Sequence, residues 1–133
     1  MSDTPPPLSA FAESLGMRLI SQSPEEVIGE LPVTETLVNI NGTLHGGALM
    51  SLADTLGGFA TLQYVADGQT TTTIESKTNF FRPIHLGDVA RGRAVPLNVG
   101  RTFIVWQTEI FRGDGKLAAV VTQTQMLLTW SGS

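Results

Sequence analysis

The stretch NINGTLHGGALMSLADTLGG, Asn39 to Gly58, decides how the rest of the chain must be arranged. After the glycines at 46 and 47, Leu49, Leu52, Ala53, Leu56 and Phe59 recur at three- and four-residue intervals, which places them on one face of an α-helix. Beside that face runs a narrower stripe of small or polar residues: Gly47, Ser51, Asp54, Gly58 and Thr61. Helical signals persist from about Gly46 to Val65, roughly 30 Å at about 1.5 Å per residue, the width of a small domain. A helix so long and so apolar must cross the molecule and needs a cover.

The cover is supplied downstream. Three segments rich in Thr, Val, Ile, Phe and Trp, at residues 70–81, 88–99 and 102–112, show the alternation of a sheet with one covered face and one more polar face. The turn RGDGK then leads into a fourth, residues 117–130, and the last two segments are expected to form a hairpin. Upstream, Leu8, Phe11, Ala12 and Leu15 at helical spacing, followed by Gly16, predict a short leading helix. Residues 26–35 predict a strand in which Pro32 favours an edge position or irregular pairing. The expected architecture is α+β: an antiparallel sheet curled around one long helix, with a short helix alongside. It is expected to form one domain over residues 1–133, with a flexible proline-rich start at 1–7.

Composition narrows the function. The 133 residues suit a single domain that buries roughly two-thirds of its unfolded surface. The 41% apolar content and mean hydropathy of +0.12 point to extensive burial or contacts between copies. A net charge of −4 with eight Lys and Arg argues against a nucleic-acid partner. With no cysteine, thiolate nucleophiles, disulfides and thiolate metal sites are excluded. Forty residues separate the two histidines, His45 and His85, so no metal site is expected. Both phosphate-binding fingerprints, GxGxxG and GK followed by Ser or Thr, are missing. No signal-like start or bilayer-length apolar run stands out, so a cytoplasmic protein without membrane contact is expected.

The helix carries the chemistry. Gly46 and Gly47 present unpaired backbone N–H groups at its positive end, where a carbonyl oxygen gaining negative charge would be stabilised. Asp54 offers the complementary group, a nucleophile or a base for water, and its apolar helix argues against a merely solvated carboxylate. The glycines at 57 and 58 weaken the helix, so another helix or a ligand is expected to approach closely there. His45 is assigned to capping or positioning, and His85, in RPIHLGD, to a turn. Eight residues separate Gly46 from Asp54, about 12 Å along the axis, farther than a carboxylate reaches. If both act on one carbonyl, they come from two copies of the helix lying antiparallel across a dimer axis.

In order along the chain, an Asn six residues before the His of HGG, an acid nine residues after that His, then IESKTNFFRPIHLGD, GRT, VWQTEIF and a closing strand resemble the hot-dog-fold acyl-CoA thioesterases of the PaaI-like and hydroxybenzoyl-CoA type. The resemblance covers most of the chain. It implies that Asp54 is the catalytic carboxylate, that the Gly46 amide polarises the thioester carbonyl, and that Asn39, accompanied by His45, contacts the thioester or places water. Thr73 falls where relatives carry a small or hydroxyl residue near the reacting group. Where relatives often have Ser or Thr four residues after the acid, this chain has Gly58.

Arg82 and Arg101, near strand ends, are candidates for CoA phosphate contact, and the amides around Asn98, Gly100 and Thr102 for a pantetheine path. Phe80 and Phe81 are candidates for bordering the acyl pocket. The implied activity is hydrolysis of an acyl- or aroyl-CoA to the acid and CoA without metal or other cofactor, in a homodimer that pairs into a homotetramer. The alternatives are a hot-dog enoyl-CoA hydratase, whose chemistry the HGG-to-Asp spacing fits less well, and a noncatalytic acyl-CoA sensor.

Overall fold

The computed structural model describes residues 7–130. The flexibility expected of the first seven residues therefore falls, apart from Pro7, outside the described residues. Helix α1, Ala10–Leu15, starts where Ser9 Oγ accepts the Ala12 N–H at 3.2 Å. It stops where Gly16 turns left-handed at φ 88°, a conformation that costs glycine nothing.

Strand β1, Arg18–Ser23, escaped the sequence reading. It is an edge strand that lies mostly exposed, so RLISQS has no regular apolar alternation to betray it. Strand β2, Glu26–Pro32, alternates strictly and buries Val27, Gly29 and Leu31. It ends earlier than expected, and the chain leaves the sheet for a 3-10 turn at Glu35–Leu37. β2 is also not an edge strand: β1 and β4 flank it. Pro32 is tolerated because it pairs only with Val89 of β4, beyond the last residue that β1 reaches, Glu30.

Helix α2, Gly46–Leu62, is the long element, and it stops short of Val65 with Gln63 as its cap. Strands β3 (Gln69–Phe80), β4 (Val89–Val99), β5 (Phe103–Phe111) and β6 (Leu117–Thr129) complete one antiparallel sheet of order β1-β2-β4-β5-β6-β3. The expected β5–β6 hairpin is present, with Glu109 opposite Val120 and Trp106 opposite Gln123. Its RGDGK turn is held by Arg112 donating to Asp114 at 2.7 Å; that bond, with the Lys116 N–H, lowers the Asp114 carboxyl to about 2.

The sheet wraps α2, which packs against β2 through β6, and this is the α+β hot-dog arrangement expected. All five residues of the predicted apolar face are buried. Leu56 fixes how closely helix and sheet approach. Gly29 and Gly92 face each other across β2 and β4, and a Cβ at either position would lie 2.6 Å from a Leu56 methyl. The pair thus forms a notch that receives one side chain. Toward the far end of α2, Trp106 is fully buried and donates its indole N–H to Thr61 Oγ1 at 2.8 Å. Thr61 therefore leaves the polar stripe to which its spacing assigned it. It is buried against β5 and passes its own proton to the Gly57 carbonyl at 2.8 Å. No helix among the described residues is long and apolar enough to cross a membrane.

Candidate active site

Asp54 projects from the middle of α2 into an open groove of about 720 Å³ between α1, α2 and β3. Phe11, Met50, Phe59 and Leu62 give the groove apolar walls, and Ser51, Thr55 and Ser76 add hydroxyls. In a single chain the carboxylate is exposed, so the apolar helix does not shield it as its sequence suggested. It is nonetheless held. Thr73 Oγ1 donates to Asp54 Oδ1 at 2.6 Å, and Gln123 Nε2 donates to the same oxygen at 2.9 Å. Among the described residues nothing donates to Oδ2. One oxygen is anchored and the other is available, as a nucleophile or general base requires.

Thr73 reaches Asp54 because of a break in β3. Thr73 faces Gln125 of β6 and Glu75 faces Thr124, so Ile74 is an extra residue in the ladder. Thr71 and Thr73 point inward before this bulge, and Ser76 and Thr78 after it. Behind Thr73 stand two glutamines that the sequence reading missed, Gln123 and Gln125, both essentially inaccessible to solvent. Gln125 Nε2 donates to Thr73 Oγ1 at 2.5 Å, and Gln125 Oε1 accepts from Thr71 Oγ1 at 2.9 Å. A signal was available in VVTQTQ, where glutamines occupy the inward positions that Ala119 and Val121 set up.

The close approach expected at Gly57 and Gly58 has a different source from those anticipated. At Gly57 the neighbour is the Gln123 side chain, whose Oε1 lies 2.3 Å from where a Cβ would stand. Gly58, by contrast, meets nothing within 4 Å and opens onto the Asp54 groove.

The start of α2 belongs to a second cavity. Gly46 lines a cleft of about 360 Å³ with Asn39, Phe80, Phe81 and Arg82. His45 is the N-cap: its Nδ1 accepts the Gly47 N–H at 2.8 Å, so in a neutral ring the proton sits on Nε2. The Gly46 N–H has no hydrogen-bond acceptor among the described residues. The side chain of His45 lies in a third, smaller hollow beside Leu37 and Ser51. Asn39 closes its own loop, its Oδ1 accepting from the Asn41 N–H at 2.9 Å and its Nδ2 donating to Thr43 Oγ1 at 2.9 Å. His85 bridges to Thr43 in that same loop region, consistent with a turn residue.

Phe80 is half exposed and lies against Gly46, where a Cβ would come 3.2 Å from the ring. The two arginines are far apart. Arg82 donates to the Leu117 carbonyl at 2.6 Å, whereas Thr102, beside Arg101, accepts from the Leu127 N–H at 2.8 Å. Residues 117 and 127 of one strand are roughly 33 Å apart at about 3.3 Å per residue, so these arginines cannot meet one phosphate within a chain. Asn98, Arg101 and Thr102 are exposed, and Gly100 closes the β4–β5 turn through its N–H to the Phe103 carbonyl at 2.9 Å.

One chain thus brings Asp54 together with Thr73, and Gly46 together with Asn39, Phe80 and Arg82, but it keeps the two groups apart. The same α2 therefore presents an anchored carboxylate beside an apolar groove and, at its start, an amide with no acceptor among the described residues, with the sheet wrapped around both.

Comparison with known proteins gives the family. Residues 41–119 match the thioesterase superfamily. A Deinococcus radiodurans relative is 36% identical over 120 residues, spanning 90% of this chain and 80% of its own. Among solved structures, a thioesterase of Haemophilus influenzae is 28% identical with a TM-score of 0.85, covering 91% of this chain and 84% of that one. The Escherichia coli PaaI protein of the phenylacetic acid degradation operon is 27% identical with a TM-score of 0.82, covering 89% and 83% respectively. The chain belongs to the thioesterase superfamily and is a thioester hydrolase.

Proposed function

We propose that this protein hydrolyses acyl-CoA thioesters to the free acid and CoA, at a site built from two copies of the chain. The observation that carries the reading is the division of labour at α2: Asp54 has one oxygen tied by Thr73 and Gln123 and the other without a donor among the described residues, while the Gly46 N–H, with no acceptor among them, lies at a separate cleft. The Gly46 amide receives the thioester oxygen at the positive end of the helix. Asp54 of the other copy either attacks the carbonyl carbon, displacing the thiolate and forming a mixed anhydride that water then hydrolyses to the free acid, or takes a proton from a water that attacks the carbonyl carbon itself. The sulfur leaves as CoA thiolate and is protonated by solvent. No metal or redox cofactor takes part, because the leaving group is already activated and CoA belongs to the substrate.

The edge of the sheet supports the two-copy reading. β3 is the edge strand opposite β1, runs for 12 residues without proline and has one side of its ladder unpaired among the described residues. It flanks the Asp54 groove, and Ile74, Phe80 and Phe81 are exposed on or beside it. A second copy laid along this edge would bring the Gly46 cleft of one chain toward the Asp54 groove of the other, and Arg82 toward the partner's β4–β5 turn. Asn39 then helps place the thioester or water. Arg82, Arg101 and the amides from Asn98 through Thr102 serve CoA, and Phe80 with the groove's apolar wall serves the acyl group. A homotetramer of paired dimers and a cytoplasmic setting belong to the same reading.

The test is thiol release across a panel of aliphatic and aromatic acyl-CoAs. The wild-type protein is expected to release CoA from at least one ester, and Asp54→Asn to lower turnover by about 100-fold or more with an unchanged circular dichroism spectrum. Wild-type turnover in the variant, or no release from any ester, contradicts the reading.

A further inference from the structure

We infer that Gln123 is a positioning residue for Asp54, and that position 57 is glycine in order to admit it. The inference rests on the reading of Asp54 as the reacting carboxylate. Gln123 sits on the inward face of β6, two residues from Val121, where a packing residue such as Leu or Met would satisfy the core. Instead the chain buries an amide there with no exposed surface. Its Nε2 donates to Asp54 Oδ1 at 2.9 Å and approaches Thr73 Oγ1 at 3.3 Å, whereas Oε1 is buried without a hydrogen-bond partner among the described residues. An orphaned buried carbonyl is a cost to folding, and the protein bears it where the other end of the same group meets the carboxylate.

The orientation of the amide is dictated by its neighbours. Reversing it would set Oε1 against Asp54 Oδ1 and against the lone pairs of Thr73, whose only hydroxyl proton is already given to Asp54. The remaining protons point the same way. Gln125 donates to Thr73 and Thr73 to Asp54, so a file of donors runs from β6 through β3 and ends on the one carboxylate oxygen, while the Thr71 hydroxyl proton lies between Gln125 Oε1 at 2.9 Å and the Met126 carbonyl at 3.0 Å. Gln123 adds the second bond to that oxygen from a different strand. Two donors on different strands hold Oδ1 and leave Oδ2, on a residue that lines the groove, without a donor among the described residues.

Gly57 is the condition for this contact. A Cβ there would stand 2.3 Å from Gln123 Oε1, 2.7 Å from Cδ and 3.0 Å from Nε2, so alanine would displace the whole amide. The displaced group is the end of a flexible side chain, so the fold can accommodate the methyl. Helix propensity alone favours alanine in the middle of α2. A glycine kept against that preference is explained by the amide it admits.

The experiment compares Gln123→Met, Gly57→Ala, the double variant and Asp54→Asn, measuring kcat, KM and thermal unfolding for each. Gln123→Met and Gly57→Ala are each expected to lower kcat about 10- to 100-fold through misplacement of the carboxylate. KM should stay within about twofold, since the substrate-binding surface is intact. Gln123→Met should unfold at the wild-type temperature or above it, because it removes the orphaned carbonyl. A residue that only packs the core would move stability and leave kcat alone. The double variant should be no slower than Gln123→Met, since both changes remove the same hydrogen bond. If Gln123→Met does not fold, Gly57→Ala supplies the readout. Wild-type kcat in a folded Gln123→Met or Gly57→Ala protein, with Asp54→Asn inactive, overturns the inference alone. An active Asp54→Asn overturns the reading beneath it as well.

Discussion

Asp54 shows how a side chain on an open helix face acquires a fixed direction. A free aspartate rotates, and rotation separates a carboxylate from its target; donors at 2.6 and 2.9 Å on one oxygen stop it. A hydroxyl serves in the opposite sense two turns further along α2 at Thr61, which accepts the indole proton of the fully buried Trp106. Replacing Thr61 by Val keeps the shape and orphans that N–H, so Thr61→Val is expected to lower the unfolding free energy by about 1–3 kcal/mol in a urea titration. Equal stability would show that the indole proton needs no acceptor there. The amino-acid pattern placed Asp54 in the middle of the helix and Gly46 and His45 at its start, because each owes its place to position on a single helix. It did not reveal Gln123, Gln125 or the burial of Thr61, which depend on which strand lies opposite. Local spacing cannot express a contact between residues 54 and 123.

Secondary elements were the most legible feature of this chain, and the exceptions have physical causes. Strands β3 to β6 begin and end within a residue of their expected limits; β5 and β6 alternate along most of their length, β4 through Ala94, and β3 only in part, with a bulge at Ile74. β1 has too little burial to alternate, and α2 ends early because Gln63 caps it. What alternation could not convey is how near helix and sheet approach. That distance is set by Leu56 in the notch between Gly29 and Gly92. Gly92→Ala is therefore expected to overpack the notch and cost about 1–3 kcal/mol by chemical denaturation. Leu56→Ala should cost less in the Gly92→Ala background than in the wild type, because the two changes meet at one contact. Additive losses would mean that the methyl at 92 is accommodated without Leu56.

At the scale of the whole molecule, the proposed function makes each chain the holder of two half-sites. Its Asp54 groove and Gly46 cleft are separate cavities on one α2, and a long unpaired edge, β3, lies ready to join a second copy. The reach of a carboxylate, already evident from the spacing of Gly46 and Asp54, leads to the same arrangement. Two single variants separate the halves. Asp54→Asn removes the acid, and Gly46→Pro removes the backbone N–H at the first position of α2, where proline suits a helix and where His45, at φ −60° and ψ 135°, already has the conformation that a following proline requires. Phe80 must give by a few tenths of an ångström to admit a Cβ at this position. Each variant alone is expected to be nearly inactive. Equal amounts unfolded and refolded together should regain about a quarter of wild-type thioesterase activity, because half the dimers are mixed and each mixed dimer holds one intact site of two. Mixed dimers, verified by mass, that remain as inactive as their parents would contradict a site shared between two chains.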